Sequence, residues 1–129
     1  MIAIDTNIIV RLLTKDDTRQ YNASRKLLAS ADVYIPDTVI LETEWVLRYA
    51  YDFPSDQICG AFRKLFGLPN VTLSSQFLIA QALDWHEQGL DFADAFHLAT
   101  SQGLPTLKTF DEKFIKKSKG LSTCVVQKP

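Results

Sequence analysis

Residues 1–14, MIAIDTNIIVRLLT, decide how the rest of the chain is read. The apolar run of residues 1–5 ends in Asp5, and residues 7–14 have the length and composition of a short helix, so the order is strand, polar turn, helix. That order repeats downstream. Asp16 and Asp17 supply capping side chains before Thr18, and Tyr21, Ala23, Leu27 and Leu28 form one apolar stripe of a second helix. Residues 33–36 (VYIP) form a second strand. A long helix is predicted from Asp37 to about Tyr51, and Phe53-Pro54-Ser55 breaks it before another helix over 56–66. The turn GLPN at 67–70 leads into a third brief strand at 71–73. Ser74 caps a helix running through Trp85 to Gly89, Asp91 caps another over 92–102, and Gly103 ends it. Residues 104–110 (LPTLKTF) make a fourth strand, Asp111 opens a short helix, and residues 121–126 make a fifth strand.

Short apolar strands alternating with helices predict an α/β fold with a short parallel sheet of four or five strands, flanked by helices on both faces, because parallel neighbours need crossover helices. Ligands of such sheets gather at the carboxyl ends of the strands. Asp5 ends the first strand and Asp111 follows the fourth, so two acids fall where that rule places a site.

The 129 residues, 47% apolar and 22% charged, suit a single domain over 1–129. Fourteen basic against fifteen acidic residues exclude a wholesale basic coat protein and an acidic disordered tail. Cys59 and Cys124 lie in apolar surroundings without zinc-site or disulfide-framework spacing and read as buried, reduced thiols. No signal-like start and no apolar run near the roughly 18 residues of a membrane span is present, so a soluble cytoplasmic protein is expected.

The carboxylates carry the chemistry. Asp5-Thr6-Asn7 directly follows a strand, which puts the acid at the sheet rim and leaves Thr6 and Asn7 to bond the turn or cap the helix. In the helix DTVILETEWVLRYAYD, Glu42 shares a face with Val39, Trp45, Val46 and Tyr49, a poor setting for an unpaired charge. Glu44 has Arg48 one turn on, an ordinary surface pair, and periodicity prefers Glu42 only mildly. Asp91 has the simple explanation of an N-cap, whereas Asp94 stands among Phe92, Ala93, Ala95, Phe96 and Leu98. Asp111 is a cap candidate with Glu112 beside it. Each acid alone has a structural reading. Four on separate elements do not add up so simply, because unit charges about 4 Å apart repel by roughly 4 kcal/mol at an effective dielectric of 20 and call for protons or a cation. An oxygen-only set points to Mg²⁺ or Mn²⁺ and away from zinc.

Other chemistry is thin. His86 and His97 have no accompanying nucleophile motif, and His97 reads as a helix-face histidine. No Walker A or GxGxxG cradle is present. A phosphatase of the strand-DxD type would want a second Asp where Asn7 stands.

In order along the chain, MIAIDTNIIVRLL, LETEWVLR, LDFADAFHLA and LKTFDEKF resemble the motifs of PIN-domain ribonucleases, in particular VapC-type toxins of toxin–antitoxin pairs. The resemblance implies a PIN-like three-layer α/β fold and metal-dependent hydrolysis of RNA phosphodiester bonds with one or two Mg²⁺, Mn²⁺ being a possible substitute. It puts the family's acids on Asp5, Glu42, Asp94 and Asp111 as catalytic and metal-binding residues, and it is this analogy that selects Glu42 over Glu44. Asn7, Thr109 and Asp91 take supporting places. It also implies an RNA substrate, a cognate antitoxin and a homodimer. Ile8, Ile9, Phe62 and Phe66 are apolar residues available to such an interface or to the core. From the residues themselves, six lysines stand against two acids between 108 and 128; Lys108, Lys113, Lys116 and Lys117, with Arg11, are the candidates for steering phosphate. A non-catalytic PIN-like binding module and a Mg²⁺-dependent phosphatase are the competing readings.

Overall fold

The computed structural model describes residues 1–129. Its Cα packing falls into two compact units, Met1–Gln76 and Phe77–Pro129. The first unit runs β1 (Ile2–Ala3), α1 (Thr6–Thr14), α2 (Thr18–Ser30), β2 (Val33–Tyr34), α3 (Asp37–Ala50), α4 (Ser55–Phe66) and β3 (Val71–Thr72). Its three strands are parallel in the order β1-β2-β3, with Ile2 opposite Val33 and Val33 opposite Val71. Each crossover is helical, as parallel pairing requires. The strands are shorter than the apolar runs suggest, because Asp5 and Pro36 turn the chain into helix soon after each one. Hydrogen bonds from Ile4 N to Tyr34 O and from Ile35 N to Thr72 O carry the ladder a little further. Ile9, Val33, Ile35, Ile40, Leu47, Ile58 and Phe62 are fully buried, so Ile9, Phe62 and Phe66 are core residues and not interface.

The second unit holds α5 (Gln76–Glu87), α6 (Phe92–Thr100), β4 (Thr106–Lys108), α7 (Glu112–Lys117) and β5 (Val125–Gln127), where α5 takes its first residue from the end of the first unit. β4 and β5 pair in parallel with Thr106 opposite Val125 and Lys108 opposite Gln127. Ile79, Leu83, Phe92, Ala95, Leu98 and Ala99 form its core, and Phe92 meets Phe96 edge-on with centroids 6.1 Å apart. The α/β class and the parallel pairing are as the sequence predicts.

Two local expectations change. α6 ends at Thr100, before Gly103, because the hydroxyls of Thr100 and Ser101 bond back to the carbonyls of Phe96 and His97 and close the last turn. Ser74 donates to Oδ1 of Asp37 at 2.6 Å, which ties the start of α3 to the segment after β3. Both thiols are buried and unpaired in disulfides. No helix is long and apolar enough to cross a membrane.

Candidate active site

In the first unit the acids stand where strands give way to helices. Asp5 leaves β1 in an extended conformation and caps α1, its Oδ1 accepting from the amide of Thr6 at 2.7 Å. Its carboxylate is exposed at the carboxyl end of the parallel strands. Thr6, buried, turns its hydroxyl to Glu42 and donates to Oε1. Asp5 and Glu42, 37 positions apart in sequence, are thus linked through one residue. Asn7 is exposed on the next position of α1.

The buried face of α3 departs from the side that helical periodicity mildly prefers, although Val39 of that side is buried. Val39, Ile40, Thr43, Glu44 and Leu47 are buried, whereas Glu42, Trp45 and Tyr49 are exposed. Glu44, expected to be an ordinary surface acid, is only 2% exposed. Arg48 meets it with two bonds, Nε to Oε2 at 2.8 Å and Nη2 to Oε1 at 3.1 Å. A buried carboxylate gripped this way is structural. Glu42 has one hydroxyl donor and an open side, the setting a ligating carboxylate needs.

In the second unit Asp91 caps α6, its Oδ2 accepting from the amide of Asp94 at 3.3 Å. Asp111 caps α7 in the same way, through Oδ1 and the amide of Phe114 at 3.1 Å. Thr109 fixes the approach, since its Oγ1 accepts from the amide of Asp111 at 3.1 Å while its own amide donates to Gln127 O. Asp94, half-buried, makes no such cap. Burial first, then the charges of Asp91 and Asp111, push its carboxyl above the usual carboxylate range, against a smaller opposing effect of His97. Asp91 and Asp111 are therefore each near enough to Asp94 to repel its charge.

The donor set is carboxylate and hydroxyl oxygen, with no thiolate and only the exposed His97 beside it. Hard divalent ions suit such donors, and a cation would offset both the burial of the Asp94 charge and the repulsion from Asp91 and Asp111 that raise its carboxyl. No three His, Cys, Asp or Glu side chains converge as a ready ligand shell. The residues fit a divalent ion by donor chemistry and charge, not by a preformed cage.

The basic candidates separate on inspection. Arg11 donates to Asp16 at 3.0 Å, to Gln20 and to Tyr51; Tyr51 first and then Asp16 raise its pKa, while Tyr51, Thr14 and Arg11 lower that of Asp16. Lys117 donates to Gly89 O at 3.2 Å, and Lys108 reaches Lys128 O at 3.5 Å. Lys128 pairs with Glu112 at 2.7 Å. Lys113 is exposed beside them. Lys116 and Lys119 line a surface groove with Ile115 and Gln127. Spacing alone counts Lys119 only as one of the six lysines between 108 and 128, and cannot show that it shares a groove with Lys116.

No curated protein matches the sequence. Among solved structures, the chain is similar to the Mycobacterium tuberculosis toxin VapC20, described as cleaving the sarcin–ricin loop, at 22% identity over 97% of this chain and 99% of that one, with a TM-score of 0.45. The model of the PIN domain family matches residues 2–120, a span that includes Asp5, Glu42, Asp94 and Asp111, and on that match the chain belongs to the PIN domain family.

Proposed function

We propose that this chain is a metal-dependent endoribonuclease of the VapC type, in which residues 1–129 act as one PIN domain and hydrolyse RNA phosphodiester bonds. The observation that carries the reading is the half-buried Asp94, its carboxyl raised first by burial and then by its neighbours Asp91 and Asp111, inside a family match that includes all four motif acids. An acid kept at an electrostatic cost, with no cap or ion pair to account for it, is suited to a cation. Asp5, Glu42, Asp94 and Asp111 would hold Mg²⁺ or Mn²⁺, one ion or two. A bound ion would supply an activated water and stabilise charge on the phosphate. The protein's own part is positional. Thr6 fixes one oxygen of Glu42, Asp91 spends its carboxylate on the α6 amide, and Thr109 sets the turn that presents Asp111. No side chain stands out as a covalent nucleophile, so water attacks.

Lys116, Lys119 and Lys113 give the RNA backbone its countercharge, with Lys108 and Lys117 beside them. Arg11, already occupied by Asp16, is the weaker candidate. A protein neutraliser is supported by an apolar groove of about 560 Å³ along α1 and α4, lined by Leu12, Leu13, Ala61, Leu65 and Leu68, with Asp56 and Lys64 also in its wall. We further propose a homodimer and a cytoplasmic location.

The test is cleavage of a mixed cellular RNA pool by partner-free protein with Mg²⁺, with Mn²⁺ and with EDTA, beside Asp5→Asn. Discrete metal-dependent fragments that the variant does not make are expected. No cutting under any condition, with no metal bound in calorimetry, replaces the reading with a non-catalytic binding module.

A further inference from the structure

We propose that His86 and Lys117 are positioning residues: one from α5 and one from α7, they brace the turn between α5 and α6 and so hold Asp91 and Asp94 in place against Asp111 for a divalent ion. This rests on the metal-dependent nuclease reading and adds to it two residues that act through the acids. The turn itself is short. Glu87 ends α5 and Phe92 begins α6, and Gly89 makes the reversal at φ +110°, a conformation that a side chain would strain. Amides of the turn bond back to α5, Gly89 N to His86 O at 3.0 Å and Leu90 N to Trp85 O at 3.1 Å. Two successive carbonyls are taken by side chains. The Nδ1–H of His86 donates to Leu90 O at 2.7 Å, and Lys117, the last residue of α7, donates to Gly89 O at 3.2 Å. The His86 ring also meets Phe92 edge-on, with centroids 5.5 Å apart. His86 therefore holds the residue on each side of Asp91, whose own carboxylate accepts from the amide of Asp94.

The need for a brace follows from charge. Asp111 caps the first turn of α7 and Lys117 closes its last, so the helix is a lever about 9 Å long with an acid at one end and a tether at the other. The buried Phe114 seats this helix between them. Asp91 and Asp111 each disfavour the charge of Asp94, so the starts of α6 and α7 repel each other when no cation is bound. Acids free to separate bind an ion weakly, because part of the binding energy goes into drawing them together; acids already held in place avoid that cost. Partners that orient metal ligands without touching the metal act in this way. The brace also sorts the lysines. Lys117 is committed to the chain's own carbonyl, whereas Lys116 and Lys119 line a groove.

The full chain, freed of metal, is titrated with Mn²⁺ in calorimetry and assayed for RNA cleavage over the same range of Mn²⁺. Wild type is compared with His86→Leu, His86→Asn, Lys117→Met, Lys117→Arg and the charge control Lys116→Met. His86→Leu and Lys117→Met are expected to weaken Mn²⁺ binding roughly ten- to a hundredfold, and the cleavage they lose should return as Mn²⁺ is raised. His86→Asn and Lys117→Arg keep a donor and should restore most of the affinity, while Lys116→Met should bind Mn²⁺ as wild type does. Lys117 is exposed, so Lys117→Met tests the brace even if His86→Leu fails to fold. Unchanged Mn²⁺ affinity in Lys117→Met, with cleavage intact, overturns the brace and leaves the nuclease reading standing. Weakened Mn²⁺ binding in Lys117→Met, alongside a wild type that binds Mn²⁺ and cuts no RNA, keeps the brace and overturns the nuclease reading alone. Unchanged Mn²⁺ affinity with weaker RNA binding in EDTA also overturns the brace and makes Lys117 a phosphate contact. A wild type that binds no Mn²⁺ overturns both.

Discussion

The hydroxyl of Thr6 donates to the carboxylate of Glu42, joining the first turn of α1 to α3 across 36 positions of sequence. Thr6 is buried, so the bond is sheltered on one side, and Glu42 keeps an oxygen free on the other. Thr6→Val keeps the shape and removes the donor. It should cost about 1 kcal/mol in urea unfolding and lower cleavage by more than that loss of stability explains, since Glu42 is left to rotate. Thr6→Ser should restore both. Equal cleavage by Thr6→Val and wild type would show that this bond does not orient the acid.

Asp94 fixes the direction of a pH effect. Burial, Asp91 and Asp111 put its folded-state pKa above the unfolded value, so the folded protein holds that proton more firmly than the unfolded chain does. Ionised Asp94 then costs stability in full above the raised value. The cost is relieved as the pH falls through that value and is gone below the ordinary one, near about pH 4. In metal-free protein, Asp94→Asn should therefore melt higher than wild type at pH 7 and lose that advantage in acid. Mg²⁺ should raise the melting temperature of wild type and leave the variant nearly unmoved. Thermal melts across pH, with and without Mg²⁺, check both parts.

The two glutamates of α3 should respond oppositely. Glu44 is buried while its partner Arg48 is part-exposed, so removing the acid takes away two charge-assisted bonds without leaving a bare charge buried. Glu44→Ala should destabilise the fold by about 2 kcal/mol. Glu42→Gln retains an acceptor for Thr6 on an exposed face and should stay within about 0.5 kcal/mol of wild type while cleavage is lost. Chemical denaturation and a cleavage assay on the same preparations separate the roles.

How much of this was legible in the sequence depends on the kind of interaction. The strand ending at Asp5 and the caps at Asp91 and Asp111 are local, and local patterning announces them. The inward and outward faces of α3 are not local. Periodicity favours the side with most apolar volume, which counts Trp45 and Tyr49, but the chain buries Glu44 because Arg48, four residues on, neutralises it with two bonds. Periodicity prefers Glu42 only mildly, and it is the family resemblance that selects it over Glu44. Gly103 is a stop signal that the helix does not use, since the amide of Ser101 bonds Leu98 O and the hydroxyls of Thr100 and Ser101 bond the carbonyls of Phe96 and His97. The bond from Thr6 to Glu42 spans too much sequence for any periodicity to reveal.

The lysines offer a last test, because their structural settings differ while their sequence settings look alike. Lys116 and Lys119 face a groove, whereas the ammonium of Lys117 is committed to Gly89 O. An ammonium that neutralises a phosphate releases a counterion, so each such lysine contributes roughly 0.7 to the slope of log binding constant against log salt on a single strand. Lys116→Ala and Lys119→Ala should each flatten the slope by about that amount and weaken binding evenly across RNA sequences. Lys117→Ala should change the slope less, because its charge is tied to the chain's own carbonyl. Measured over a range of KCl in EDTA, equal slopes for all three variants would mean that the groove does not direct the strand and that the basic tail acts only as diffuse charge.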